Sequence, residues 1–308
     1  MFAILGILVV LAAVFGGYLL ERGNPYVLMQ PAELLIVGGA AAGIIITGNP
    51  PEVLRKMSRG LMVIFRAPRH TRVMFLRHLR MLFEVFVYSQ RAGLMNLEQD
   101  VERPRKSRIF SRYPDFLEDT ATCAFICDSL RMLVIGATSP NELDHLMAVD
   151  IDVQQRGHRE PVSALSAVAD ALPGLGILAA VLGVVITMQA ISASPETVGQ
   201  KVAAALVGTF LGILLCYGVV GPAASRLDTL AEQQTQFLEV LRAAVVSFAR
   251  GASPILAIEY ARRSIPIEQR PSFTEMETTI RREARVPQTP QQAEQERNAQ
   301  ASHSGTRG

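Results

Sequence analysis

Four long stretches of this 308-residue chain contain no Asp, Glu, Lys, Arg or His: residues 2–20, 34–51, 171–195 and 202–225. A bilayer core of about 30 Å is crossed by about 20 apolar residues in helical form. The stretches are therefore expected to be membrane helices. The second, LLIVGGAAAGIIITGNPP, is short and glycine-rich, and its composition also fits a buried helix or a re-entrant segment. Moving protons through a bilayer needs an ionisable group in the pathway. With none at mid-bilayer depth, a partner is expected to supply the carboxylate if ions are to pass; a self-sufficient channel, the rival reading, would need intramembrane ionisable groups or broken helices lining a site, and neither is evident. Asp170 stands only at the cytoplasmic entrance of the third stretch.

Other chemistry is missing as well. The three cysteines are Cys123, Cys127 and Cys216. Cys123 and Cys127 lie one helical turn apart, but no second pair completes a metal site, so they are expected to be buried reduced thiols. His70, His78, His145 and His158 are scattered without metal spacing, and no glycine-rich phosphate loop or nucleophile motif occurs. No enzyme activity, cofactor or metal is expected. A net charge of +2 gives no reason for a nucleic-acid partner. The first stretch lacks a basic leader and a clean small-residue cleavage site, so it is expected to remain as a membrane helix.

What is present sets the topology. After the second stretch come Arg55, Lys56, Arg59, Arg66, Arg69, Arg72, Arg77 and Arg80, against Glu52 alone. The connections at 21–33 and 196–201 carry one basic residue each, Arg22 and Lys201. Basic flanks stay in the cytoplasm. The expectation is an all-α integral membrane protein with four transmembrane helices and a helical cytoplasmic domain, both termini inside. Its parts would be transmembrane helices at 1–20, 34–51, 170–195 and 202–225, periplasmic loops at 21–33 and 196–201, a cytoplasmic helical domain at 52–169, C-terminal cytoplasmic helices at 226–284 and a disordered tail at 285–308. That tail is too polar to offset its ordering entropy.

Local signals agree with helices. Ser139-Pro140-Asn141-Glu142 is a capping box with proline at the first helical position. Leu227, Leu230, Phe237, Leu238, Leu241 and Val245 recur at helical spacing, which predicts a helix that leaves the fourth stretch and packs on the loop domain. Gly251 would stop it and Ser253-Pro254 start another. Met132–Ile135 is the one short β-like patch and fits a helix equally well.

Gly176, Ala179, Ala180 and Gly183 give the third stretch a small-residue side, and Gly208 and Gly212 flank Thr209 in the fourth. Small residues let helices approach in lipid. They serve either packing within this chain or a groove for a partner's helix. Pro173 and Pro222 both fall at the cytoplasmic level; each removes a helical hydrogen bond, that of Pro222 from the carbonyl of Gly218. They suggest either static kinks or a transmitted motion.

The segments PGLGILAAVLGVV at 173–185 and VGTFLGILLCYG at 207–218 resemble the paired core motifs of flagellar motor stator A subunits, in the MotA/TolQ/ExbB proton channel family. VFGGYLL, QPAELLIVGGA, LEQDVERP, SRIFSRYP and RPSFTEME are similar to further segments of that family, in the same order. The resemblance implies a proton-driven, torque-generating complex in the bacterial inner membrane. Five A copies would surround two copies of a single-span, peptidoglycan-anchored B subunit that brings the membrane aspartate. The A ring would push the switch-complex protein of the rotor's C ring. Pro173 and Pro222 match the family's functional prolines, and Glu98 its rotor-contacting acid. Arg91 is the candidate basic partner, seven residues before Glu98, while the position eight before is Gln90. On a continuous helix that separation would put Arg91 and Glu98 on one face. Ala180, Gly176, Gly183 and Thr209 would line the channel or touch the B helix. Sodium-type relatives carry threonine where this chain has Ala180, so H+ is the expected coupling ion. An ExbB/TolQ-type transport motor subunit is the alternative, against which the number of spans and LEQDVERP argue.

Overall fold

The computed structural model describes residues 2–64, 70–136, 138–189, 192 and 194–281. Every regular element among them is helical. The longer helices are α1 (Phe2–Leu20), α2 (Pro31–Gly48), α3 (Pro51–Ile64), α4 (Arg72–Ala92), α5 (Thr120–Ile135), α6 (Pro140–Gln189), α7 (Pro195–Leu215), α8 (Gly221–Ala249), α9 (Pro254–Ser264) and α10 (Phe273–Arg281). Among the described residues three stretches are long and apolar enough to cross a membrane: Pro25–Gly48, Pro140–Met188 and Pro195–Ala249. A shorter apolar helix covers Ile4–Leu20. At most 33% of the apolar window of each long stretch is buried within the chain, so most of that surface requires lipid or other subunits. The expected tail at 285–308 lies outside the described residues.

Several ends differ from expectation, because prolines at first helical positions, rather than charges, decide where helices begin. α2 starts at Pro31, not at residue 34, which brings Glu33 into its first turn. α7 starts at Pro195 with Ser194 as its cap, so 196–201 is helix rather than loop. The segment 21–33 contains a helical turn at Pro25–Leu28. The third span is not a separate helix but the end of the 50-residue α6, with Pro161 and Pro173 inside it. The capping box holds as expected: the Ser139 amide donates to Glu142 at 2.7 Å, and the Glu142 amide donates to the Ser139 hydroxyl at 3.3 Å.

The described residues divide between two compact units, one within 1–68 and 152–234, the other within 69–151 and 235–308. α6 and α8 contribute residues to both. In the first unit α1 meets α7 through an edge-on Phe15–Phe210 pair at 6.5 Å. α3, α6 and α8 join through Ile64, Val162 and Leu227, with Lys56 bonded to Glu160 at 2.8 Å.

The second unit has a core rich in phenylalanine. Phe75, Phe86, Phe110, Phe116, Phe125 and Phe237 are all fully buried. Phe86 stacks on Phe248 at 4.2 Å. Phe237, Leu238, Leu241 and Val245 of α8 insert among residues of α4 and α5, the face foreseen from their spacing. Positive φ at Gly136 and Gly251 ends α5 and α8. Cys123 and Cys127 are buried free thiols. Much of the basic cluster is used inside this unit: Arg72 pairs with Glu275, Arg77 with Asp115, and Arg80 with Glu84.

His78 is 2% exposed and lies edge-on to Phe237 at 4.9 Å. Its Nδ1 bonds to the Met74 carbonyl, and its Nε2 is buried without a partner. Burial pushes its pKa below the ordinary imidazole value, against smaller opposing effects of the Met74 bond and Asp119. The unfolded chain therefore binds the proton more readily. The stability that neutral His78 contributes is present above the ordinary value of about 6.5 and is lost as pH falls from there toward its depressed folded value. Replacing His78 with Phe should flatten the fall in thermal stability of the purified protein on mild acidification, measured as Tm against pH; an unchanged slope would show that another group sets it.

Candidate ion-pathway site

The small residues of α6 and α7 face each other. A Cβ built on Gly212 would stand 2.5 Å from the Leu172 carbonyl oxygen, and one on Gly176 would stand 2.7 Å from the Gly208 carbonyl oxygen. On Gly183 it would meet the Ala205 Cβ at 2.6 Å. The two backbones thus touch where side chains are missing. Association in lipid depends on this kind of contact, because the tails are as apolar as the helices. Thr209 Oγ1 donates to the Gly176 carbonyl at 3.5 Å, a weak tie along the same seam. Gly176 and Gly183 are therefore used in the packing of this chain's own α6 on α7. Ala180 and Thr209 are half-buried beside the seam, and Asp170 is exposed on α6.

α2 closes the seam with a carboxylate that sequence reasoning left outside the membrane. Glu33 is 7% exposed, and its Oε2 is buried without a hydrogen-bond partner. It stands against Gly208 and Gly183. The signal that could have found it is Pro31 at N1 with an acid two residues on, a standard helix opening.

The two prolines act differently. Pro173, half-buried within α6, leaves the Ala169 carbonyl without its helical amide, and Pro161, which the sequence reading did not single out, does the same to Gly157. Pro222 follows a π-helical turn at Cys216–Val220, in which the Gly221 amide donates to the Cys216 carbonyl. The wider turn accommodates the bond that Pro222 removes at Gly218. A Cβ on Gly221 would lie 2.7 Å from the Cys216 oxygen, so this turn requires glycine there.

Arg91 and Glu98 do not share a helix. Gly93, at φ 91°, ends α4, and Glu98 opens the short helix Glu98–Glu102 after a 3-10 turn. The same-face argument fails because glycine breaks the helix between them. Both side chains are exposed, and neither forms an ion pair among the described residues. Arg91 borders a cleft of about 940 Å³ that Arg103, Lys106 and Arg112 also line; Glu98 lies outside it.

Residues 4–93 match the family described as Motility protein A N-terminal, and residues 118–240 match the MotA/TolQ/ExbB proton channel family. The chain is 37% identical to Motility protein A of Escherichia coli (strain K12) over 281 residues, 91% of this chain and 95% of that one. The chain belongs to the motility protein A family. Within that family it is also 38% identical to Chemotaxis protein LafT of Vibrio parahaemolyticus, over 89% of this chain and 96% of the relative. The fold is similar to that in the structure of C. jejuni MotAB (TM-score 0.73, 20% identity, 88% of this chain and 98% of that one). It is also similar to that in the flagellar MotAB stator complex from Bacillus subtilis (TM-score 0.69, 22% identity, 87% and 96%). Motility protein A chains are flagellar stator subunits of a proton channel family and not enzymes, and this chain is a multi-pass membrane protein of that kind.

The seam yields a direct test. Gly212→Ala adds helix propensity of about 1 kcal/mol, yet it must force α6 and α7 apart. It should sharply lower the amount of protein in membranes and abolish motility, measured by immunoblot and by swimming in soft agar. Gly199→Ala, at an open position, should leave both unchanged.

Proposed function

We propose that the chain works as one of five A copies around two copies of a single-span B subunit. The assembly would sit in the bacterial inner membrane with both termini in the cytoplasm. The B subunit, anchored to peptidoglycan, would supply the membrane aspartate, and H+ would be the coupling ion. Each charge crossing the membrane carries about 2.3 kcal/mol per 100 mV. That energy would turn the A ring stepwise, with Pro173 and Pro222 coupling the pathway to helical movement and Asp170 at its cytoplasmic entrance. Arg91 and Glu98 would meet the rotor's switch-complex protein. The observation that carries this reading is the match to Motility protein A along 91% of the chain. It is supported by the titles of the two similar structures, which name MotAB and a MotAB stator complex. The exposed positions of Arg91 and Glu98 fit a contact with another protein. Ala180 and Thr209, half-buried beside the seam, are the residues offered to the B helix.

Deleting the gene, in a cell with no other stator, should leave flagella assembled but paralysed, and co-purification should recover a single-span protein with a membrane aspartate. Normal swimming, or recovery of a periplasmic energy-transducing protein instead, would favour the ExbB/TolQ-type alternative. Glu98→Lys should reduce swimming speed, with partial recovery on a compensating rotor charge change; no effect even when combined with an Arg91 change would remove the rotor assignment. Motor speed should be independent of external sodium in the parent chain, and a sodium requirement would refute proton coupling.

A further inference from the structure

Glu33 is a buried ionisable group to which the stator reading assigns no task. It stands in the first turn of α2, beside the seam of α6 and α7. A Cβ built on Gly208 would lie 2.6 Å from Glu33 Oε2 and 3.2 Å from the Ala180 amide nitrogen; one built on Gly183 would lie 3.3 Å from Glu33 Oε1. The carboxyl thus abuts the backbone positions next to Ala180 and Thr209, the two residues offered to the ion pathway.

The surroundings do not suit an anion. α2 carries no other charged residue, α6 none between Asp170 and its end at Gln189, and α7 only Glu196 and Lys201 near its start. No ion pair joins Glu33 to any described residue, and Oε2 has no hydrogen-bond partner. Thr187 is buried on α6, but its hydroxyl donates to the Gly183 carbonyl at 2.8 Å. A carboxylate seated there would face neither cation nor donor, a costly arrangement in apolar surroundings. A neutral carboxylic acid fits the same seat. An amide of equal shape would fit it as well, so the distinctive property of Glu33 at this place is that it can gain and lose a proton.

We propose that Glu33 is a proton-binding group of the stator supplied by the A chain itself, placed at the outward end of the pathway. This rests on the stator reading and deepens it. Loading is a plain proton transfer. Hydronium gives its proton to Oε2, one O–H bond forms as one breaks, and water is left. On unloading, the proton passes through water to a carboxylate of the partner's span, and Glu33 returns to the anion. No electron is transferred. The neutral acid sits against Gly183 and Gly208, whereas the anion must turn toward water near the start of α2, so loading is coupled to the seating of α2 on α6 and α7.

The test uses the complete motor with Glu33→Gln and Glu33→Asp, recording swimming speed as external pH is varied on both sides of neutrality. Glu33→Gln should bring swimming close to zero throughout, since losing one acid–base group costs about 10²–10⁴-fold in rate. Glu33→Asp should retain motility with a displaced pH profile. A merely structural role would give the reverse order, since Gln preserves the shape and Asp does not. As a second readout, dicyclohexylcarbodiimide, which attacks protonated carboxyls in apolar sites, is applied to the purified stator complex. An adduct on Glu33 that declines as pH rises is expected by mass spectrometry. Parent-like swimming of Glu33→Gln across the pH range, or labelling that is absent or insensitive to pH, overturns the proposal. If the parent chain with its partner supports no swimming while Glu33 labelling still titrates, the stator reading falls and the proton-binding group stands.

Discussion

The close approach of α6 and α7 is the constraint on which the membrane part of this protein depends. In lipid, apolar surface gains little from leaving its surroundings, so helices associate through intimate packing and a few polar ties. Gly176, Gly208 and Gly212 provide that intimacy by removing side chains where the backbones meet. Thr209 adds a polar tie to the Gly176 carbonyl. The outer faces of the same helices carry Ile177, Leu178, Val181, Leu206 and Ile213, all exposed in the single chain. Such faces are suited to lipid or to neighbouring copies.

Irregularity is concentrated where this seam ends. Pro161 and Pro173 interrupt the hydrogen bonding of α6, and a π turn precedes Pro222 where α7 passes into α8. Both helices remain continuous in direction of chain, yet each contains carbonyls released from the helical ladder. Wide turns and prolines are the usual places where a membrane helix bends without exposing an edge to lipid. The seam itself is closely packed, much of it backbone against backbone.

The second unit is stabilised by different means. Its phenylalanine-rich core is built from α4, α5 and parts of α6 and α8. Around it Asp144 accepts from Arg242 at 2.6 Å and from Arg250 at 3.0 Å. Glu259 is held down to about 2 by its hydrogen bond with Arg262 and by Arg263. Arg91 and Glu98 stand apart from this network, being exposed and forming no ion pair among the described residues. Charges that are exposed and unspent on internal pairs are available to a second protein.

Hydrophobic runs and caps were legible without coordinates. Apolar length marked the membrane helices, the Ser139–Glu142 box marked the start of α6, and Gly251 with Pro254 marked the break between α8 and α9, because each depends on residues adjacent in the chain. The continuity of α6 through two prolines, the π turn and the separation of Arg91 from Glu98 were decided by the tertiary structure. Charge position suggested that Glu33 lay outside the membrane helix; the packing of α2 against Gly183 and Gly208 buried it. Sequence alone determined which segments are apolar and where helices can start, since those are local free energies. Which small residues face this chain's own backbone, and which carboxyl is enclosed with them, depends on contacts between different helices, as of Gly176 with Gly208 and of Glu33 with Gly183, and only folding brings those together.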